Sequence, residues 1–210
     1  MWEDKKLEKL EKKYNGFVRK ARKIGYNESA NCLEHFLKGE GTTYNFDPDW
    51  LLQFSQVEEA VNKNLRRYEN DFVKRGQKLQ PGESFYYCEL PNIETDEIGP
   101  YGNLGWANQK TAGLRGRRGT GSDLYYASGT FTITTFCDVE IFKDYDETVK
   151  VKGTILNIFW DKYDWHDNLS VYIPTVGIVK DSDAIYLEEK GNAKSYNLKS
   201  EWSFEYEKDF

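Results

Sequence analysis

Long apolar runs are missing from this chain, and so is any excess of positive charge. No segment approaches the roughly 20 apolar residues that a helix needs to cross a bilayer. The first residues, Met1–Lys6, do not form the apolar core of a signal peptide, so we expect any export to depend on other sequence. The net charge of −6 gives no electrostatic reason to expect nucleic-acid binding, which favours a basic face.

Cysteine is scarce, and its spacing indicates no metal or redox site. Cys32, Cys88 and Cys137 are far apart, and none belongs to a Cys-x-x-Cys pair. We interpret all three as buried apolar side chains, with one disulfide and one free thiol as the alternative. Internal repeats are absent too, and the 39% of apolar and 30% of charged residues are typical of a globular chain.

The beginning of the chain is predicted to be helical. Apolar residues recur every three or four positions from Leu7 to Ile24, which predicts an amphipathic helix that ends at Gly25. A second helix is expected to start near residue 27 or 29 and to end at Gly39 and Gly41.

A third helix is predicted to begin at Pro48, because proline suits the first helical turn and Asp47 can accept hydrogen bonds from free amides. It is expected to continue, with a break near Ser55, to Phe72. Residues 1–78 are thus predicted to form a helical N-terminal region.

Residues 79–210 are predicted to form an antiparallel β region in the same module. Strand formers dominate residues 84–90, and the segments 123–136 and 148–163 are expected to pair through a turn at residues 144–147. The further elements predicted are an edge strand at 170–173, a short helix at 181–191 and a final strand at 193–206. The predicted fold class is α+β, with N-terminal helices packed on a curved antiparallel β-sheet.

A glycine-rich segment at residues 92–122 is too long for an ordinary connection, which is typical of a functional loop. Near its end, Gly116 separates Arg115 from Arg117 and Arg118. Three guanidinium groups on a flexible backbone can bind a phosphate or pyrophosphate bidentately. A solvated basic loop is the alternative interpretation.

Two carboxylates, a phenol and an imidazole follow closely on one another at Asp161, Tyr163, Asp164 and His166, after a predicted strand. Such groups carry out proton transfer and bind metal ions. Strand alternation separates Asp161 and Tyr163 from the other two, so the four converge on one cleft only if the strand bends or ends here. Otherwise Asp161 caps the strand, Tyr163 packs inward, and Asp164 and His166 shape a turn.

This stretch resembles the activity domain of colicin M-like toxins, bacteriocins that degrade lipid II. The family motif begins Asp-x-Tyr-Asp, which matches Asp161, Tyr163 and Asp164. A second similarity is the helix that ends in a Gly-x-Gly turn at Gly39 and Gly41. The two matches bracket roughly residues 30–168, and the order of elements between them is similar.

The chain departs from the family in the second half of the motif. A His-Arg pair follows several residues later in the family, whereas the aligned positions here hold Ser170 and Val171. The nearest histidine, His166, comes too early, so it would have to substitute for the family histidine from a different backbone position.

The resemblance implies a half-barrel fold and a secreted or delivered antibacterial toxin that hydrolyses the pyrophosphate linkage of lipid II or a related polyprenyl phosphate. It would act in the periplasm or at the outer face of the cytoplasmic membrane, and a cognate immunity protein would be its partner. Asp161 and Asp164 would hold Mg²⁺ or Ca²⁺, or one of them would act as a base. His166 would carry protons, Tyr163 would orient a carboxylate, and the arginine segment would bind the substrate phosphates.

A toxin domain without catalysis is the alternative. It would bind or permeabilise the target membrane through aromatic side chains, which favour the membrane interface. The residues considered for this role are Trp50, Trp106, Trp160 and Trp165. The missing His-Arg pair favours this alternative, whereas the Asp-x-Tyr-Asp match favours the enzyme.

Overall fold

The structure is a computed structural model that describes residues 2–90, 106–111, 122–167, 169–173 and 177–210. Its helices are α1 (Trp2–Lys23), α2 (Asn27–Lys38), α3 (Pro48–Leu51), α4 (Ser55–Gly76), α5 (Asp123–Ala127) and α6 (Asp181–Glu189). Its strands are β1 (Tyr44–Asn45), β2 (Ser84–Glu89), β3 (Trp106–Thr111), β4 (Thr130–Lys143), β5 (Val149–Tyr163), β6 (Ser170–Ile173), β7 (Gly177–Lys180) and β8 (Tyr196–Asp209). Within these residues, no helix combines the length and the apolar character that crossing a membrane requires.

The predicted α+β class is confirmed, but the main sheet is mixed. Its strand order is β1-β8-β5-β4-β2, with β3 also paired to β4, and β6 pairs with β7 in a second sheet. Strand β1 runs parallel to β8, whereas β4 is antiparallel to β2 and β5. Among the described strands, neither sheet is closed or strongly curled.

The chain divides into two compact units, each made of three segments. Unit 1 comprises Met1–Phe46, Thr111–Phe131 and Asp161–Lys199, and unit 2 comprises Asp47–Lys110, Thr132–Trp160 and Ser200–Phe210. Both units combine helices with strands. The division at residue 78 was drawn from the residue pattern rather than from contacts, and it stays a prediction.

Unit 2 is built around the long antiparallel pairing of β4 with β5. The register runs from Thr132 opposite Trp160 to Lys143 opposite Val149. Helix α4 packs on this ladder, and its Tyr68 and Phe72 are fully buried in a core of strand side chains. The other members of this core are Cys137, Val139, Ile141, Val149, Val151, Ile155 and Tyr206. The predicted break near Ser55 is confirmed, because α3 ends before α4 begins.

Unit 1 places α1 against α2 and α6. The apolar stripe of α1 buries Tyr14, whose hydroxyl donates a 2.7 Å hydrogen bond to the Lys180 carbonyl. Lys13 adds a 2.7 Å ion pair with Asp183 of α6. Helix α2 ends as predicted, with Gly39 in the left-handed conformation at its C-terminus.

Several sequence predictions were wrong in detail. Residues 123–127 form α5 rather than the start of a strand, because the Ser122 hydroxyl accepts a hydrogen bond from the Tyr125 amide and caps a helix. Residues 106–111 of the predicted loop form β3, and β6 pairs with β7 instead of extending the main sheet. Cys88 is exposed, whereas Cys32 and Cys137 are buried, and all three thiols are free.

Candidate functional site

The predicted acidic cluster lies where β5 ends in unit 1. Asp161 and Tyr163 belong to the last residues of β5, whereas Asp164 and His166 follow in irregular backbone. The strict alternation that would separate the two pairs therefore stops after Tyr163. Asp161 and Asp164 are close enough for the charge of Asp164 to affect the pKa of Asp161.

Asp161 is a partly buried carboxyl group with a hydroxyl partner. The Ser128 hydroxyl donates a 2.6 Å hydrogen bond to its Oδ2 atom. Burial raises the pKa of Asp161 to about 7, and the charge of Asp164 acts in the same direction, while hydrogen bonds from Ser128 and the Lys162 amide oppose the shift. Asp161 therefore exchanges its proton near neutral pH, as a general acid or base must.

Ser128 is held at a turn between a helix and a strand. It follows α5 directly, and Gly129 supplies the positive φ of 79° that turns the chain into β4. Helix α5 is anchored to α2 by Asp123, whose carboxylate accepts hydrogen bonds from the Glu28 amide at 3.0 Å and the Ser29 amide at 2.9 Å. This anchor fixes the backbone from which Ser128 reaches Asp161.

Tyr163 lies in an aromatic cluster. Its ring stacks on Tyr196 with centroids 5.1 Å apart, and it contacts Trp165 at 5.6 Å and Phe36 at 6.0 Å. Burial raises the pKa of the Tyr163 hydroxyl well above its ordinary value. These contacts match the structural interpretation in which Tyr163 packs inward, and its predicted role of orienting a carboxylate stays a prediction.

Asp164 and His166 are more open to solvent. The Asp164 carboxylate lies 3.9 Å from His166 Nδ1 and 3.7 Å from Lys162 Nζ. The His166 side chain is 67% exposed, and its backbone amide donates a 3.1 Å hydrogen bond to Asp181. His166 thus lies open to solvent beside Asp164.

A cavity of about 420 Å³ lies beside this cluster within unit 1. Its apolar lining comes mainly from the helices and from the β6–β7 hairpin: Phe17, Ala21, Leu33, Ala127, Val171 and Val179. Its polar lining comes from the turn between α5 and β4, from the end of β5 and the residue after it, and from the starts of β6 and α6: Ser128, Thr130, Lys162, Asp164, Ser170 and Asp181. The Ser128–Asp161 hydrogen bond joins two of these segments, so the polar groups gather where β5 ends.

The predicted metal site fits a divalent cation only in part. Asp161 and Asp164 offer carboxylate oxygens, which Mg²⁺ and Ca²⁺ prefer. Over the part of the chain that the structure describes, no three His, Cys, Asp or Glu side chains gather to hold a metal ion. A Mg²⁺ ion is often bound by one or two carboxylates with water and substrate phosphates, and that is the arrangement these two residues would allow.

The predicted arginine segment cannot be placed. Arg115, Arg117 and Arg118 lie outside the described residues, and so does the side chain of Trp106. Phosphate binding by these arginines stays a prediction.

Ser128 and Asp181 are site residues that the sequence did not indicate. Ser128 is 33 residues from Asp161 in sequence, and Asp181 is 15 residues from His166. The capping residue Ser122 could have indicated α5, which was not predicted from the sequence, but no local pattern shows which carboxylate the residue after that helix would meet.

Comparison of this chain with family models, with curated proteins and with solved structures found no match. The resemblance to colicin M-like toxins therefore stays a prediction, which depends on the Asp-x-Tyr-Asp match, the Gly-x-Gly turn and the order of elements.

Proposed function

We propose that this chain is an antibacterial toxin domain that hydrolyses the pyrophosphate linkage of lipid II or of a related polyprenyl-phosphate precursor. The observation that carries the proposal is Asp161, hydrogen-bonded at 2.6 Å to a Ser128 hydroxyl that lines the cavity. A lipid-linked pyrophosphate has a charged reacting group beside an apolar chain. A cavity with polar and apolar lining suits such a molecule.

Hydrolysis of a phosphoric anhydride needs an activated water, a proton for the leaving group and cations for the developing charge. In our proposal Asp161 transfers the proton, and the bond from Ser128 holds its carboxylate in one orientation. His166 exchanges protons with solvent beside Asp164, in place of the family histidine. Tyr163 fixes the end of β5 through its stacking on Tyr196.

The reaction needs positive charge beside the phosphates of the substrate. Lys162 lines the cavity, but so do the carboxylates of Asp164 and Asp181, so these three charged side chains do not by themselves favour an anion. A Mg²⁺ or Ca²⁺ ion held by Asp164 and by the substrate phosphates would neutralise substrate charge and would leave Asp161 to transfer the proton. The arginine segment at Arg115, Arg117 and Arg118 would add further positive charge.

The biological setting follows from this activity. The domain would be secreted or delivered into target bacteria and would act in the periplasm or at the outer face of the cytoplasmic membrane. A cognate immunity protein would protect the producing cell, and a basic surface on it would complement the net charge of −6. The half-barrel of colicin M-like domains belongs to the same proposal; helix α4 on an antiparallel ladder agrees with it, whereas the described strands form no strongly curled sheet.

The first experiment measures lipid II turnover by the purified domain with Mg²⁺, with Ca²⁺ or with EDTA. Removal of a proton-transfer group typically lowers a rate by about 10²- to 10⁴-fold, which is the loss we expect for Asp161→Asn. We also expect Asp164→Asn and His166→Ala to lower turnover. Asp146→Asn is the matched control, because Asp146 is exposed in the β4–β5 turn of unit 2. Intact lipid II under all conditions would overturn the proposal.

A specific observation favours membrane contact as the second candidate function. Trp50, Trp160 and Trp165 are partly buried, so these side chains do not form an exposed aromatic band. The exposed apolar side chains of unit 1 lie elsewhere: Leu169, Tyr172 and Ile178 are 58%, 65% and 55% exposed. They belong to the β6–β7 hairpin and the residue before it. This hairpin is therefore the membrane-binding element of the second candidate.

A further inference from the structure

We propose that the cavity of unit 1 binds the apolar chain of a prenyl amphiphile, with the polar head of that molecule beside Ser128 and Lys162. This inference deepens the proposed function and rests on it, because it says where the lipid part of the substrate lies. It does not depend on which residue transfers the proton.

The first support is the two-sided character of the β6–β7 hairpin. Val171 and Val179 are directly opposite in the register and both line the cavity. The next pair, Tyr172 and Ile178, projects to the opposite face and is mostly exposed. A short hairpin with apolar side chains on both faces can contact a lipid surface outside while it covers an apolar chain inside.

The second support is that apolar side chains lie both at the rim and in the interior of the cavity. Leu169 lines the cavity and is nevertheless 58% exposed, so it lies at the rim. Further inside, Phe17 and Ala21 of α1 and Leu33 of α2 supply buried apolar contacts. Apolar side chains thus line both the rim and the interior of the cavity.

The volume limits how much of the lipid can be bound. About 420 Å³ lies within the range of small-molecule sites, roughly 300 to 1,000 Å³. The cavity therefore accepts the isoprene units next to the phosphate, while the remainder of a long polyprenyl chain stays in the membrane.

The charges around the cavity predict what drives binding. Lys162 is offset by Asp164 at 3.7 Å, and Asp181 adds a second carboxylate. A phosphate on the ligand thus gains little unless a divalent cation accompanies it. Apolar contact supplies most of the affinity.

The test uses the full chain, and calorimetry measures its binding of four probes: farnesol, farnesyl phosphate, n-dodecanol and inorganic phosphate. We expect farnesol and farnesyl phosphate to bind with similar affinity in EDTA, with farnesyl phosphate gaining when Mg²⁺ is added. We expect n-dodecanol to bind more weakly than farnesol, and inorganic phosphate not to compete. Absence of farnesol binding, tighter binding of n-dodecanol, or competition by inorganic phosphate in EDTA would overturn the inference.

Two substitutions distinguish the cavity from general surface binding. Val171→Trp fills the cavity and should weaken farnesol binding at least about tenfold, the effect of roughly 1.4 kcal/mol. Tyr145→Trp is the control, since Tyr145 is 80% exposed and belongs to unit 2, and the affinity for farnesol should not change in this variant. Val171→Ser, which adds no bulk, replaces Val171→Trp if that variant does not fold. Equal losses in the two positions would contradict the inference.

The two proposals fail in different ways. Farnesol binding that depends on Val171, without any lipid II turnover, would support the cavity and overturn the hydrolase. Lipid II turnover that is unchanged in a folded Val171→Trp variant would support the hydrolase and overturn the cavity.

Discussion

Asp161 is partly buried and has a single hydroxyl partner. The balance between burial and that hydrogen bond sets the pKa of its carboxyl group. A carboxylate that accepts several hydrogen bonds and faces a cation has a lowered pKa, as happens at Asp144 through Lys150. Asp161 instead has Ser128 and one backbone amide against burial and a neighbouring carboxylate, so its pKa rises to about 7. The same residue type thus serves different purposes at the two ends of β5.

The pH dependence of stability should reveal this shift. The folded chain holds the Asp161 proton more tightly than the unfolded chain, where the carboxyl has its ordinary pKa of 3.8. The contribution of this proton to the free energy of unfolding is therefore lost as the pH rises from about 4 through about 7. Asp161→Asn removes this loss, so we expect the variant to exceed the wild type in free energy of unfolding at pH 8 by on the order of 2 kcal/mol, and by little at pH 4.

Urea unfolding at a series of pH values measures this difference. Asp146→Asn is the control of opposite sign, because hydrogen bonds from Thr148 lower the pKa of Asp146. Removal of the Asp146 carboxylate should lower the free energy of unfolding at neutral pH rather than raise it. A constant difference between Asp161→Asn and wild type from pH 4 to pH 8 would contradict the assigned environment.

At this scale the sequence identifies residue types but not their partners. Asp161, Asp164 and His166 could be selected because they are close in sequence and carry titratable groups. Ser128 could not, because its contact with Asp161 depends on how α5 is anchored by Asp123 to α2. The inward packing of Tyr163 depends likewise on Tyr196 and Phe36, which are distant in sequence.

The β6–β7 hairpin is the element on which the lipid-related proposals depend. A two-stranded hairpin alone is only marginally stable in water, so it needs packing on one face. Val179 provides this as a buried residue, whereas Tyr172 and Ile178 stay exposed. Exposed apolar residues in a pair of strands cost solubility unless they have a binding role.

Vesicle binding tests this role of the hairpin. Tyr172→Ser and Ile178→Ser should each lower partitioning onto phosphatidylcholine vesicles by about tenfold, because each removes a large apolar contact worth 1.5 kcal/mol or more when fully buried. Addition of phosphatidylglycerol should not help, since the net charge is −6. Co-sedimentation with sucrose-loaded vesicles measures the partitioning.

Tyr145→Ser is the matched control for the hairpin substitutions. Tyr145 is 80% exposed and belongs to the β4–β5 turn of unit 2. Its replacement should leave partitioning unchanged. An equal loss in this control would show general stickiness of exposed aromatics rather than binding by the hairpin.

Elements with strong periodicity or clear end signals could be predicted, and the others could not. The stripe of α1 and the proline at the start of α3 gave correct positions. Five-residue α5 was missed because the strand formers after it dominate the local pattern. The separation of β6 from the main sheet was missed because β7, the strand with which β6 pairs, was not predicted from the sequence.

At the scale of the whole molecule, the proposed substrate determines where the protein must act. The pyrophosphate of lipid II that faces the cell wall is outside the cytoplasm, so the domain needs to reach the periplasm before it can be toxic. A protein that reaches that face through water needs only reversible contact with the membrane surface. The exposed apolar side chains of the hairpin would provide such contact. Three exposed apolar side chains bind a bilayer far more weakly than a spanning helix does.

Toxicity that depends on the compartment is the corresponding prediction. We expect growth arrest and lysis of a bacterial host when the chain is fused to a secretion leader, and normal growth when the same chain is expressed without it. Asp161→Asn should abolish the effect of the exported protein, whereas Asp146→Asn should leave it intact. Colony counts after induction, with immunoblots of the periplasmic fraction to match protein amounts, give the comparison. Killing from the cytoplasm would point to a different target, and export-dependent killing by Asp161→Asn would favour membrane binding over hydrolysis.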